Sequence, residues 1–180
     1  LMDLFNSGAV TNRFKSVFPG KTVTSYAMGT QKLLNWLDGN PLVEFQGIDK
    51  VFNPMRIGKN ARFVAIVNIR KIDLTGEMAL HVGKGTVTTD TAEVIDFVNG
   101  AEISYDGYSI YALPSRNLKG EANIKISLED IPNRLNVRES IDLVATEYGV
   151  ANLNGRTMRE RAMALIEIAH PEDRANLIEE

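Results

Sequence analysis

Thr146-Glu147-Tyr148-Gly149-Val150-Ala151, followed by Asn154-Gly155-Arg156-Thr157, Arg159-Glu160-Arg161-Ala162 and Ile168-Ala169-His170-Pro171, is the stretch from which the fold is read most directly. It reads as an apolar strand, a turn containing Gly149, a capped helix and a proline stop. Thr157 and Glu160 have the spacing of a capping box, in which each side chain satisfies a free backbone N–H of the other at the helix start. Ala162, Leu165, Ile166 and Ala169 then recur at helical spacing and mark one apolar stripe. Pro171 cannot continue that helix; it ends it and opens a final short one.

Working outward, residues 141–146 are apolar enough for a central strand. Residues 62–67 form a near-continuous apolar run, the pattern of a strand buried on both faces of a parallel sheet. Strands are also predicted at 22–27, 71–74, 108–113 and 123–128, with Thr75-Gly76 turning the chain and Pro114 ending its strand. Thr30 caps a predicted helix whose apolar face is Leu33, Leu34 and Leu37, beside Trp36, and Gly39-Asn40-Pro41 ends it. Asp90-Thr91 caps a second, carrying Val94, Ile95, Phe97 and Val98 and stopped by Asn99-Gly100. Strands alternating with helices predict one α/β domain over residues 1–180, with a mixed, mainly parallel sheet and helices on both faces. Ligands in such sheets sit beyond the carboxyl ends of the strands. The segments after Ala27, Val67 and Val144 are therefore expected to converge on one cleft.

Composition narrows the function. The net charge is −3, with no cationic excess of the kind that nucleic acid or an anionic membrane surface requires. No apolar run approaches the roughly 20 residues of a membrane span. Residues 1–5 carry an acid and lack the basic flank of a signal peptide. The chain has no cysteine, so it has no disulfide and no thiolate ligand or nucleophile, which fits the expected cytoplasmic setting. His81 and His170 are the only histidines and lack metal spacing, so no metal is expected. His170 is read as a helix-end residue. Gly83-Lys84-Gly85-Thr86 lacks the leading glycine of a phosphate loop and reads as a surface turn.

Two further blocks stand upstream: Met28-Gly29-Thr30 with Asn40-Pro41-Leu42-Val43-Glu44-Phe45, Asp49 and Asn53-Pro54, and then Ile72-Asp73-Leu74-Thr75-Gly76. Together with the C-terminal run they resemble, in order and spacing, the acetyl-CoA hydrolase/CoA-transferase family, which includes the 4-hydroxybutyrate and butyrate:acetate CoA-transferases. The resemblance implies the fold of that family's C-terminal domain. It also implies transfer of coenzyme A, here a substrate, between short-chain carboxylic acids through a nucleophilic Glu and a glutamyl-CoA intermediate. In the family that Glu lies just before the segment resembling residues 1–21. The chain, which opens on Leu1, is therefore expected to be the C-terminal half of a longer polypeptide, with an exposed apolar face where the other half docks and a homo-oligomer as its assembly.

The site residues implied by the resemblance are Met28, Gly29, Asn68, Glu93, Glu147 and Gly149, with Glu147 orienting substrate or closing over the nucleophile. Glu44, Glu77 and Glu102 lie outside the motif context of the nucleophile. Two positions depart from the family pattern. Ala92-Glu93-Val94 stands where Gly-Gly-Gln is usual, and Ala and Glu present bare backbone N–H groups less readily than Gly. Asn68 stands one position later than the family's amide, which on a strand turns it to the opposite face unless a bulge intervenes. The alternative reading is a binding or assembly module that keeps the fold without turnover.

Overall fold

The computed structural model describes residues 2–80, 92–131, 134–135 and 141–179. In chain order its elements are α1 (Met2–Asn6), β1 (Thr22–Thr24), α2 (Gln31–Leu37), β2 (Val43–Phe45), α3 (Ile48–Val51), α4 (Pro54–Ile57), β3 (Val64–Asn68), β4 (Lys71–Asp73) and β5 (Met78–Ala79). They continue with α5 (Ala92–Ile103), β6 (Tyr108–Ala112), β7 (Ile124–Lys125), β8 (Arg134–Leu135), β9 (Leu143–Thr146), β10 (Gly149–Asn152), α6 (Met158–Glu167), a 3-10 turn (Pro171–Asp173) and α7 (Arg174–Glu179). The main sheet runs β10-β9-β6-β3, with β3, β6 and β9 mutually parallel and β10 returning antiparallel beside β9. A second sheet runs β7-β4-β5-β8, and β1 pairs in parallel with β2. This is the expected mixed α/β fold, with parallel-rich sheets and helices.

Residues paired across a sheet share a face. On the inner face of the main sheet Ala65, Val67, Ser109, Tyr111, Val144 and Ala151 are all buried. Val67, Tyr111, Val144 and Ala151 share one core with Ile72, Met78 and Ile124 of the second sheet, Val98 of α5 and Leu165 of α6. On the outer face Ile66 aligns with Ile110 and Leu143, and Ile66 is 72% exposed. The apolar run at 62–67 was expected to be buried on both faces; it is not. An unbroken apolar run specifies how much of a strand can be buried, not whether a layer lies over its second face, and β3 is the last strand of its sheet among the described residues.

Three local expectations are also revised. The strands at 22–27 and 123–128 shorten to β1 and β7. The helix expected to stop at Asn99-Gly100 continues to Ile103. Gly100 marks a crossing instead: a Cβ there would lie 2.4 Å from Ile57 Cγ2, and one on Gly58 would lie 2.4 Å from Ile103 Cγ2. Two glycines thus let α4 and α5 approach closely. Local signals hold elsewhere. Thr30 Oγ1 accepts from the Leu33 amide at 3.3 Å, and Thr157 and Glu160 form both halves of the capping box. The buried Asp73 carboxylate accepts from the Thr75 amide and hydroxyl, the Glu77 amide and the Leu128 amide. In the Ile72–Gly76 block Asp73 therefore ties a turn.

Candidate functional site

Because β3, β6 and β9 are parallel neighbours, their carboxyl ends fall on one edge, with Asn68 opposite Ala112 and Ala112 opposite Ala145. The segments that follow line an open cleft of about 400 Å³ whose walls include Asn68, Pro114, Thr146 and Glu147. Of the three segments expected to converge, those after Val67 and Val144 meet here, joined by the one after β6.

Glu147 is the charged group at this edge. Its two carboxylate oxygens accept from one residue: the Ser115 amide at 2.9 Å and the Ser115 hydroxyl at 2.6 Å. Ser115 is 1% exposed, and its own carbonyl accepts from the Asn123 amide at 2.8 Å, so the clasp is anchored in the core. The Ser115 hydroxyl, aided by its amide and by nearby His170, lowers the Glu147 pKa below the ordinary carboxylate value against the opposing effect of burial. The adjacent Thr146 hydroxyl donates to the Ile168 carbonyl at 2.6 Å and accepts from the Tyr148 amide, and the Tyr148 ring meets His170 edge-on at 5.4 Å. His170 Nδ1 accepts from the Glu172 amide at 3.3 Å, capping the 3-10 turn that follows α6. Arg116, next to Ser115, donates two bonds to Asp173 and one to Glu172, which fastens that turn to the loop after β6.

Asn68 points to the outer face with Ile66; the β3–β6 register is continuous from Val64 to Asn68, with no bulge to turn it back. It also walls a second cavity of about 390 Å³ between the β3 edge and α5, which contains Glu93, Val94 and Phe97. Glu93 Oε2 accepts from the Tyr26 hydroxyl at 3.4 Å. Asn68 therefore borders both the cavity that Glu93 lines and the one that Glu147 lines. Met28, 82% exposed, and Gly29 lie between β1 and α2 and wall neither cavity. Gly149 turns β9 into β10 at φ +147°, a conformation that favours glycine. Of the other carboxylates, Glu77 pairs with Arg134 at 3.1 Å. His81, Lys84 and the Asp90-Thr91 cap lie outside the described residues. Among the described residues no group of three or more His, Asp and Glu is placed to hold a metal ion, and no helix is long and apolar enough to cross a membrane.

The acetyl-CoA hydrolase/transferase C-terminal domain profile matches residues 29–180. The chain belongs to this family. The domain is 39% identical over its whole length to the 4-hydroxybutyrate coenzyme A transferase of Clostridium kluyveri, of which it spans 42%. It is similar to the crystal structure of RipA from Yersinia pestis, with a TM-score of 0.87 at 34% identity over 99% of this chain and 40% of that one. The 4-hydroxybutyrate CoA-transferase structure from Porphyromonas gingivalis gives 0.80 at 37% identity, over 99% and 41%. The domain thus spans about two fifths of the length of these relatives.

Sequence reading missed Ser115 and Arg116. The available signal was positional: Pro114-Ser115 follows a strand just as Asn68 and Glu147 do, and neighbouring parallel strands end on one edge.

Proposed function

We propose that the domain forms one wall of an acyl-CoA:carboxylate CoA-transferase site within a longer polypeptide. The observation that carries this reading is the meeting of Asn68, Pro114 and the fixed Glu147 carboxylate at the ends of three parallel strands. In the reaction a Glu carboxylate outside residues 1–180 attacks the thioester carbonyl and expels CoA thiolate, giving an acyl-glutamyl anhydride. The thiolate then attacks the glutamyl carbonyl and releases the acid, leaving glutamyl-CoA for the incoming carboxylate. Glu147, ionised at neutral pH, orients substrate by accepting a hydrogen bond, and Asn68 offers an amide donor beside it. Water in place of the incoming carboxylate makes the same chemistry a hydrolysis. Short-chain acyl-CoA substrates, including the 4-hydroxybutyryl group named for the Clostridium relative, and a cytoplasmic setting go with this reading. The outer face of the main sheet, with Ile66 and Val150 72% and 62% exposed, is the surface on which the remaining part of such an enzyme docks.

The test is a CoA-transfer assay on the polypeptide carrying the nucleophile segment ahead of this domain, with acetyl-, propionyl- and butyryl-CoA as donors and acetate as acceptor. Borohydride traps any glutamyl thioester. Turnover with a trapped Glu outside residues 1–180, and a fall in kcat of about tenfold or more in E147Q, is the expected result. Ala92-Glu93-Val94 at the place of the family's glycines favours a second reading, a CoA-transferase-like binding or assembly module. Absence of turnover with every donor, with the fold intact, selects it.

A further inference from the structure

Glu147 and its neighbours are fastened to two different segments of the chain. Thr146 and Tyr148, on either side of it, hold the segment after α6: the Thr146 hydroxyl donates to the Ile168 carbonyl at 2.6 Å, and the Tyr148 ring meets His170 edge-on at 5.4 Å. The Arg174 guanidinium lies 6.0 Å from the centre of the same Tyr148 ring. Glu147 itself is held by the loop after β6, through Ser115. The direction of its carboxylate therefore depends on how these two segments are held relative to each other. Arg116 bridges them. Its Nε donates to Asp173 Oδ2 at 2.9 Å and its Nη2 to Asp173 Oδ1 at 2.6 Å, while its Nη1 donates to Glu172 Oε2 at 2.8 Å.

A two-point contact between a planar guanidinium and a carboxylate fixes distance and plane together, which a lysine ammonium cannot do. The Arg116 and Asp173 side chains are 26% and 18% exposed, so salt screens them less than a pair in open solvent. The bonds from Arg116 hold the Asp173 carboxyl below its ordinary pKa against the effect of burial, so the pair is charged at neutral pH. Each end of the bridge is itself anchored. Arg116 forms an antiparallel bridge with Ala122, and the Asn123 side chain donates to the Pro114 carbonyl at 2.9 Å. The Asp173 amide donates to the His170 carbonyl at 2.9 Å. The contacts close a ring from Ser115 through Glu147, Tyr148, His170 and Asp173 to Arg116, and Arg116 is joined to Ser115 by the backbone.

We propose that Arg116 is a positioning residue for the transfer reaction: clamped on Asp173, it holds Ser115 in place and so fixes the direction of the Glu147 carboxylate. This rests on the CoA-transfer reading above and adds what sets the geometry of Glu147. Arg116 is not among the residues that wall the strand-end cleft, so it acts through Ser115 rather than on the substrate. Without the clamp the loop after β6 and the turn after α6 are free to part. The two Ser115 bonds then loosen together, and water replaces both donors.

The test combines 13C NMR titration of the Glu147 carboxyl in the 180-residue chain with CoA-transfer kinetics on the polypeptide that carries the nucleophile segment ahead of it. The variants are R116A, D173A, R116A/D173A and R116K. D173A is the decisive one. Removing the Asp173 charge acts on Glu147 by field alone in the downward direction, since one fewer anion favours ionisation of another, whereas loosening the Ser115 clasp raises the Glu147 pKa. The expected result is an upward shift in D173A as in R116A, with the double variant moving no further than either single. In kinetics each is expected to lower kcat about tenfold or more with KM for the acyl-CoA changed less than about threefold, and R116K to recover part of the rate. The double variant leaves no unpaired charge, so it reports even where a single variant folds poorly. A downward or absent shift in D173A overturns the proposal, as does an unchanged kcat in the double variant or a fall in R116A that D173A does not share; in each case the transfer reading stands. Absence of turnover in the wild type removes the transfer reading itself and the positioning role with it.

Discussion

Glu147 and Ser115 lie 32 positions apart, and their clasp is the smallest feature with a functional consequence. With its folded pKa lowered, Glu147 stays ionised where the unfolded chain would already take up a proton. Its contribution to stability is therefore full above the unfolded value and is lost as pH falls through the folded one. In S115A the Glu147 carboxyl, followed by 13C NMR, should titrate at higher pH than in the wild type; an unchanged titration would show that Ser115 does not set it. At Gly149 the backbone rather than a partner decides. Gly149→Ala, at φ +147°, should lower stability by about 1–3 kcal/mol in urea denaturation.

At the level of elements, α6 and α5 show what local signals determine. The start of α6 follows from two residues three apart, and both reciprocal bonds of the box form. Thr157→Ala should cost about 1 kcal/mol, measured by thermal denaturation, with little change in the core. The end of α5 did not follow from its residues. A glycine after an amide residue is a common helix stop when it takes positive φ, but Gly100 keeps a helical φ because Ile57 packs on it. Gly100→Ala should force α4 and α5 apart and cost about 1–3 kcal/mol in urea denaturation. The same limit explains β1 and β7. Their β-prone runs are longer than the strands that form, because a strand extends only as far as a partner is in register.

For the whole molecule, the two faces of the main sheet differ in what a substitution does. Leu165, fully buried between α6 and the sheet core, should lose about 3 kcal/mol as L165A. Ile66→Thr should change the stability of this chain by no more than about 0.5 kcal/mol in the same denaturation experiment, since 72% of Ile66 already faces solvent. A large loss in I66T would mean that the outer face is covered in solution.

The sequence by itself determined the α/β class, the order of the main strands and helices, both helix N-caps and the family, because each rests on short-range spacing: a capping pair, a 3.6-residue stripe, a block of contiguous residues. It also placed Asn68 and Glu147 at strand ends. Tertiary structure alone decided that those ends share one edge, that Ser115 holds Glu147, that Met28 and Gly29 wall neither strand-end cavity, and that Ile66 is exposed. These are contacts between residues tens of positions apart, or the presence of a covering layer. Apolarity and periodicity specify which surfaces can be buried, while the packing of distant segments decides which are.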